Sequence, residues 1–311
     1  MVHTHHVRHT TTVAAPPTVA YGLLADAPGW PRLFPSVVHV EQAPAGPGED
    51  TLRLWTTAHG RVANGGVRRR LDPDALTVGF RYIAPHSPVA VKGGTWRIHA
   101  AGDGGCEVVL DQAYAAVDDD PEQLAWIRAA AEADAKTDLE SLKQAAEQAD
   151  RIGEVLVTFT DELEIAAGPA KVHEFLWRAE AWRELPHVVR VELTDISPRT
   201  QILELETRIL DGSRHTTESV RVSLGPKRIV YKHIRRPALI AAHTAEWELT
   251  ETPDGVRAVN RQTIVLQPAV VTDFLGPGAP LAEARAFVRK VLGTINQAAM
   301  RYTKAVVEQE D

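Results

Sequence analysis

One eight-residue segment joins the side chains of acid–base chemistry to the alternation of a β-strand. Residues 215–222 read HTTESVRV, and one alternating set holds His215, Thr217, Ser219 and Arg221. Alternate side chains of a strand lie on one face of its sheet. A dry core would not tolerate this face, because burying an unpaired charge is costly. The segment therefore predicts the wall of a water-filled pocket for a polar ligand.

The cation and the histidines of such a pocket suit different tasks. Arg221 would stabilise a developing oxyanion, and His215 would transfer a proton near neutral pH. His243 shares a predicted strand face with Trp247 and is a second candidate for proton transfer.

The same alternation also permits the reverse orientation of the strand. In that arrangement Val220 and Val222 point inward, and Arg221 lays its aliphatic stem on the surface with its charge in water. The alternation alone leaves both orientations open. A second occurrence of the pattern in the chain favours the pocket.

That second occurrence comes from an internal duplication. Residues 13–41 read VAAPPTVAYGLLADAPGWPRLFPSVVHVE, and residues 165–192 read IAAGPAKVHEFLWRAEAWRELPHVVRVE. The two stretches share the order of their alanine pairs, prolines, tryptophans and valines. A repeat of this length indicates two fused domains rather than the unit of a solenoid.

The duplication pairs the candidate pocket residues. The offset that relates Trp30 to Trp182 also relates Arg69 to Arg221. Small residues accompany Arg69 on its strand face and should leave volume, whereas no histidine shares that face. The second pocket is therefore predicted to hold more acid–base groups than the first. Three small residues and two further pairs complete the pattern: Ala63, Gly65 and Val67, then Trp96 with Trp247 and Gln112 with Gln262.

The elements that must position these residues follow one order in each half. A strand precedes a short helix, about six antiparallel strands and a long C-terminal helix. The long helices are predicted at 120–148, with Asp120 as N-cap, and at 280–309. One long helix covers only part of a curved sheet. The sequence therefore predicts an α+β fold in which each sheet wraps around its long helix and leaves an interior pocket.

The repeat also sets the predicted domain boundaries. The first domain should span residues 1–150 and the second 151–311, with a linker at 149–154. The single cysteine, Cys106, excludes an intrachain disulfide and favours a reducing compartment, the cytoplasm. No apolar run reaches the roughly 20 residues of a membrane span. A net charge of −7 gives no footprint for nucleic acid or an anionic membrane.

Other chemistries lack their motifs. The sequence contains no H-E-x-x-H, C-x-x-C, G-x-S-x-G, P-loop or G-x-G-x-x-G motif. A histidine cluster near the N-terminus has no accompanying Asp or Cys, and the acidic run 118–120 is typical of a helix start. We therefore predict no metal and no cofactor. The cluster consists of His3, His5, His6 and His9.

Six segments together resemble the di-domain aromatase/cyclases of bacterial type II polyketide synthases. They read GWPRLFPSVVHVE, VRRRLDPDALTV, AAVDDDPEQLAWI, DGSRHTTESVRV, RIVYKHIRRPALIAAHTAEW and EARAFVRKVLGT. The resemblance runs over nearly the whole chain, and it implies two tandem helix-grip domains of the START-like superfamily. This fold agrees with the element order predicted above.

The resemblance also implies an activity and partners. Relatives close a ring of a poly-β-ketone chain held by an acyl carrier protein, in the biosynthesis of aromatic polyketide antibiotics. The implied partners are the acyl carrier protein, the minimal polyketide synthase and, for one subtype, a ketoreductase. Whether the substrate is unreduced or ketoreduced stays open, as does the division of cyclisation and aromatisation between the domains.

The expected site residues follow from the resemblance together with the duplication. The expected catalytic residues are Arg69, Arg221, His215 and His243. The expected substrate-binding residues are Trp30, Thr56, Trp96, Gln112, Thr207, Thr217, Ser219, Trp247, Gln262 and Asn296. The chain departs from single-domain relatives at Val37 and Val188, where they carry a pocket tyrosine. A phenolic acid or base at that position is therefore excluded.

Two other functions are compatible with the predicted fold. A helix-grip protein often only binds a hydrophobic or polyketide ligand without catalysis. A structural partner of a synthase assembly is the other possibility. Reconstitution with a minimal synthase and its carrier protein would discriminate among the three.

Overall fold

The computed structural model describes residues 3–58, 61–208 and 212–309. The chain divides into two compact units, Met1–Arg151 and Ile152–Asp311. Each unit has the same order of elements. The linker predicted at 149–154 is helical: a 3₁₀ turn at Ala149–Arg151 leads into a short α-helix.

The first unit is a seven-stranded antiparallel sheet with a long helix at its C-terminal end. The strand order is β1-β7-β6-β5-β4-β3-β2. The strands are β1 (His5–Val13), β2 (Val37–Gly46), β3 (Glu49–Ala58), β4 (Arg61–Asp72), β5 (Thr77–Tyr82), β6 (Val89–Ala100) and β7 (Cys106–Ala116). The helices are α1 (Pro17–Ala25), α2 (Trp30–Leu33) and α3 (Pro121–Glu147).

The second unit repeats this topology. Its strand order is β8-β14-β13-β12-β11-β10-β9. The strands are β8 (Leu156–Ile165), β9 (Val188–Ser197), β10 (Thr200–Arg208), β11 (Arg214–Ser223), β12 (Arg228–Arg235), β13 (Ile240–Thr252) and β14 (Gly255–Leu266). The helices are α4 (Ile152–Val155), α5 (Pro169–Trp177), α6 (Val271–Leu275) and α7 (Leu281–Val307).

The long helices begin and end where their sequences place the signals. Asp120 caps α3 and accepts hydrogen bonds from the backbone N–H groups of residues 122 and 123, which satisfies two unpaired amides of the first turn. Near the other end, Glu147 accepts the backbone N–H of Ala14 at 2.8 Å. Glu308 at the end of α7 accepts the equivalent N–H of Ala166. The same contact thus attaches each long helix to its first strand.

The strand predicted at 201–210 is observed as Thr200–Arg208, and residues 209–211 lie outside the described residues. From Ser219 onward, both faces of the neighbouring strand β11 are buried. Val220 and Val222 are inaccessible on one face, while Arg221 on the other is 2% exposed. The reverse orientation required the charge of Arg221 to reach water, and the burial of this side chain excludes it.

In the part of the chain that the structure describes, no helix combines the length and the apolar character that crossing a bilayer requires.

Candidate active site

The second unit contains a cavity of about 170 Å³ between its sheet and α7. Its wall is largely apolar, with polar side chains from β11, β12, β13 and β14 on the sheet side. All of the residues predicted for the second pocket lie on this wall: Thr207, His215, Thr217, Ser219, Arg221, His243, Trp247, Gln262 and Asn296. The inward face of HTTESVRV is therefore the polar one.

Arg221 lines the cavity and is held by the end of α5. Its Nη1 donates to the carbonyl of Trp177 at 3.1 Å, and its Nη2 donates to the carbonyl of Leu176. The last carbonyls of a helix have no partner within the helix and carry partial negative charge. The guanidinium satisfies two of them. It also lies 5.4 Å from the ring centroids of Trp177 and Trp182, within the range of a cation–π contact.

The remaining partner of Arg221 is neutral. Nη1 donates at 2.7 Å to Oε1 of Gln201, which is its register partner on β10. Among the residues that the structure describes, no carboxylate forms an ion pair with this guanidinium. Burial lowers the pKa of Arg221 to about 10, so that it remains a cation at neutral pH. Within the described residues, the cavity therefore contains a buried positive charge without an ion-pair partner.

A hydrogen-bond network fixes the tautomer of His243. The amide nitrogen of Gln262 donates to Asn260 Oδ1 at 2.5 Å and to the Tyr231 hydroxyl at 3.1 Å. Both of its N–H groups are then engaged, so Gln262 Oε1 must accept from His243 Nε2 at 2.6 Å. The lone pair of the neutral imidazole lies on Nδ1. Burial lowers the pKa of His243 to about 4, partly opposed by the Gln262 bond. The imidazole is therefore a free base at neutral pH.

The other predicted residues of this half have separate surroundings. His215 is half-buried, and its Nε2 lies 3.0 Å from the hydroxyl of Ser213. The Ser219 hydroxyl donates a long bond of 3.4 Å to the Leu203 carbonyl. Asn296 on α7 donates to Asp161 Oδ2 at 2.9 Å. The structure thus places His215 outside the hydrogen-bond network of His243, on the same wall of the cavity.

The equivalent arginine of the first unit is neutralised. Arg69 is fully buried and forms a bidentate ion pair with Asp50, with Nε–Oδ1 at 2.9 Å and Nη2–Oδ2 at 2.6 Å. It donates to the last carbonyls of α1, at Leu24 (2.9 Å) and Ala25 (3.1 Å). The Trp30 ring centroid lies 5.0 Å away. Four hydrogen bonds hold this guanidinium in place, and two of them are to the carboxylate. This is the arrangement of a structural residue.

The other predicted residues of the first unit do not share one site with Arg69. Trp30 donates its indole N–H to the Leu24 carbonyl at 3.2 Å. Trp96 packs in the apolar core, and Thr56 is half-buried on β3. Gln112 lies on the inward face of β7, where its Oε1 is buried without a hydrogen-bond partner among the described residues. The arginine and Trp30 are in contact, whereas the others lie on separate strands around the core.

Several residues of the second cavity were not among the predicted site residues. Tyr231, His233 and Arg236 line it from β12 and the following turn, and Trp182 lines it from the segment before β9. His233 stacks on His243 with centroids 4.3 Å apart and an interplanar angle of 20°. The segment RIVYKHIRRPALIAAHTAEW contains both strands, and its alternation would have placed Tyr231 and His233 on one face.

This architecture defines a class of protein. A curved antiparallel sheet grips a long C-terminal helix around a cavity, and the chain contains that unit twice. The chain belongs to the family described as polyketide cyclase / dehydrase and lipid transport, whose model matches residues 4–147 and again 157–308.

Curated relatives match along their whole length. The chain is 38% identical over 312 residues to the actinorhodin polyketide synthase bifunctional cyclase/dehydratase of Streptomyces coelicolor, covering 97% of this chain and 96% of that protein. It is 35% identical over 307 residues to the granaticin polyketide synthase bifunctional cyclase/dehydratase of Streptomyces violaceoruber, with 98% and 95% covered.

Two solved structures match the chain over nearly its whole length. One is the di-domain ARO/CYC BexL from the BE-7585A biosynthetic pathway, with 40% identity, a TM-score of 0.89 and coverage of 98% of this chain and 99% of that one. The other is the di-domain ARO/CYC StfQ from the steffimycin biosynthetic pathway, with 29% identity, a TM-score of 0.83 and the same coverage. The resemblance inferred from the sequence is confirmed, together with the fold.

Proposed function

We propose that this protein is an aromatase/cyclase that closes and dehydrates a ring of a poly-β-ketone chain held by an acyl carrier protein. The observation that carries the proposal is the pairing of an uncompensated guanidinium with a free-base imidazole in one cavity. The reaction needs both a site for an oxyanion and an acceptor for a carbon-bound proton. Arg221 and His243 have these properties.

Ring closure begins with the loss of a proton from a methylene between two carbonyls. Nδ1 of His243 takes this proton, and the oxygen of the resulting enolate lies against Arg221. A guanidinium has five N–H donors, of which three are engaged by protein acceptors. The remaining N–H groups are available to the oxyanion. Removing a single preorganised donor of this kind raises the activation barrier by about 3 kcal/mol.

The enolate carbon then attacks a ketone carbon elsewhere in the folded chain. A carbon–carbon bond forms, the ketone becomes an alkoxide, and His243 returns its proton to that oxygen. The apolar wall of the cavity selects which carbons meet by holding one conformation of the chain. Loss of water from the β-hydroxy ketone then brings the ring towards aromaticity.

The carrier protein follows from the chemistry of the substrate. A poly-β-ketone is reactive in water, so a chain that stays attached to a carrier must be inserted into the cavity from its mouth. Arg236 lines the cavity, and Arg235 precedes it at the end of β12. Both side chains already have partners. Arg235 donates to Glu204, and Arg236 donates to backbone carbonyls, including that of Ile240 at 2.9 Å. We therefore assign neither of them to carrier docking.

Reconstitution tests the proposal. A minimal synthase with its carrier protein is assayed with and without this protein, and products are identified by mass and ultraviolet absorbance. The wild type should divert the product towards one with an aromatised ring, and Arg221→Gln should lose most of this effect. Arg235→Gln, which removes an exposed arginine of the adjacent strand, is the matched control and should behave as the wild type.

Two results would contradict the proposal. Unchanged products with the wild type would show that the protein does not act on the chain. An altered product that is insensitive to Arg221→Gln would favour a protein that binds and shapes the chain without charge stabilisation. Repeating the assay with a ketoreductase distinguishes an unreduced from a ketoreduced substrate.

A further inference from the structure

His233 of β12 lies on the cavity wall beside His243 and has no role in the reaction described so far. Its ring stacks on that of His243 with centroids 4.3 Å apart, and it meets the Tyr231 ring edge to face with centroids 5.8 Å apart. Its Nδ1 is buried without a hydrogen-bond partner among the described residues. Buried polar atoms are nearly always paired, so an orphaned one on the wall of an active cavity requires a reason.

The burial of Nδ1 determines the form of this imidazole. A neutral imidazole carries one N–H and one lone pair. An orphaned buried N–H is rarer in proteins than an under-satisfied acceptor, so the lone pair belongs on Nδ1 and the proton on Nε2. No hydrogen bond to a described residue engages Nε2, and the ring lines the cavity. An N–H donor is therefore presented to whatever the cavity holds.

The surroundings keep this ring neutral. Burial lowers the pKa of His233 well below its usual range, and the neighbouring His243 and Arg236 act in the same direction. Arg221 on β11 adds another positive charge to the same cavity. A cationic imidazole is therefore disfavoured here. The ring keeps its Nε2–H throughout the working pH range, and it can polarise an oxygen without delivering a full charge. A neutral histidine is used in this way as an electrophile in triosephosphate isomerase.

We propose that His233 is a catalytic residue whose neutral Nε2–H binds the substrate oxygen that leaves as water. This inference rests on the proposed function and assigns the dehydration step. His243 Nδ1 takes the α-proton, and the carbon–hydrogen bond breaks. The carbon–carbon double bond forms as the carbon–oxygen bond breaks. The departing hydroxyl, held by His233, receives the proton back from His243 and leaves as water, so both imidazoles return to their starting forms.

A discrete substrate isolates this step. A short pantetheine thioester carrying a β-hydroxy ketone loses water to a conjugated product, whose absorbance gives kcat and KM. His233→Phe keeps the stacked ring and removes the donor. Because one donor to a developing charge is worth about 100-fold or more in rate, this variant should lower kcat by about that factor and leave KM nearly unchanged. His233→Gln restores a donor and should recover part of the loss.

The first unit supplies the control and the pH profile supplies a second readout. Tyr82 occupies the equivalent strand position, because Val67 pairs with Tyr82 as Ser219 pairs with His233. Tyr82→Phe should leave the rate unchanged. The acid limb of kcat/KM should stay in place in His233→Phe, since it belongs to His243. Equal rates for His233→Phe and the wild type, no advantage of Gln over Phe, or loss of the acid limb would each overturn the proposal.

Failure here is distinct from failure of the proposed function. If the wild type dehydrates the thioester and changes the synthase product while the His233 variants retain full rate, only the assignment of His233 is lost. If the wild type does neither, the proposed function itself fails. Thermal melts of each variant show that a lowered rate belongs to a folded protein.

Discussion

The two arginines at equivalent strand positions have opposite surroundings. Arg69 and Arg221 both donate to the last carbonyls of a short helix, and both lie against a tryptophan ring. Arg69 faces Asp50 across its strand pair, whereas Arg221 faces Gln201. The carboxylate makes the first a closed ion pair. The amide leaves the second with its charge uncompensated, and only the second lines the cavity described above.

A second pair of positions differs in the same direction. Lys92 on β6 corresponds to His243 on β13, and it lies 4.9 Å from the ring of Tyr82, as His243 lies against His233. Burial and the charge of Asp134 raise the pKa of Asp138, a neighbour of Lys92 on α3, to about 7. The first unit therefore surrounds its cation with acids, whereas the second contains neutral bases. The duplicated fold therefore contains paired charges in one copy and a guanidinium beside neutral imidazoles in the other.

The largest expected effect comes from breaking the ion pair between Arg69 and Asp50. Asp50→Ala leaves Arg69 buried without its carboxylate, and removing one member of a buried ion pair costs about 3–5 kcal/mol. The first unit should therefore lose stability by this amount in urea denaturation. Gln201→Ala at the equivalent position removes only a neutral acceptor and should cost less. Equal losses in the two variants would show that the pairs do not differ energetically.

The next largest effect should come from placing an equivalent carboxylate in the second unit. Gln201→Asp should form an ion pair with Arg221 and cancel the charge that faces the cavity. Aromatisation should fall about 100-fold, comparable to the loss of an oxyanion donor, while thermal stability is maintained or increased. Gln201→Asn, which keeps the amide, is the matched control. Full activity of Gln201→Asp would contradict the role given to the uncompensated charge.

The third prediction concerns acid. Folding lowers the pKa of His243 from 6.5 to about 4, so the unfolded state binds more protons between these values. Stability should therefore fall as the pH drops from 6.5 to 4, by on the order of 3 kcal/mol from this residue. His243→Gln should reduce that loss, measured as the difference in unfolding free energy between pH 7 and pH 4. Ser219→Ala, which removes a hydroxyl that does not titrate between pH 4 and 7, should leave the loss unchanged; a reduction of the same size there would point to a general effect.

The smallest effect should come from a hydroxyl. Ser219→Ala removes only the 3.4 Å bond to the Leu203 carbonyl, so stability should change by less than about 1 kcal/mol. Product formation should stay close to that of the wild type in the reconstituted assay. A loss comparable to that of Arg221→Gln would place this hydroxyl in direct contact with the substrate and require a revised mechanism.

The sequence was sufficient for the fold and for one wall of the site. The repeat located Arg69 and Arg221, and strand alternation placed His215, Thr217 and Ser219 on the face of Arg221. These inferences needed only the alternation within one strand and the comparison of the two halves of the sequence. The same reasoning gave Arg69 and Arg221 equal status, because the difference between them lies in the adjacent strand.

That difference depends on register, which alternation does not determine. Asp50 and Gln201 meet their arginines only when β3 pairs with β4, and β10 with β11, at one particular offset. His233 and His243 come together because β12 and β13 pair in the register that sets Tyr231 opposite Ala245 and Lys232 opposite Thr244. A shift of one residue in that register would separate the two rings. Alternation along each strand does not determine the offset between strands, so it could not reveal the stacked pair.

The shared attachment of each arginine to a helix end has a consequence for how such a protein diverges. Because the helix carbonyls and the tryptophan hold the guanidinium in both units, the residue opposite it can differ, as Asp50 and Gln201 do. A duplicated gene could therefore convert a structural arginine into a reactive one by altering a neighbour and leaving the arginine itself untouched. For protein engineering, the first residue to change when building a second reactive pocket in this chain is Asp50, not Arg69.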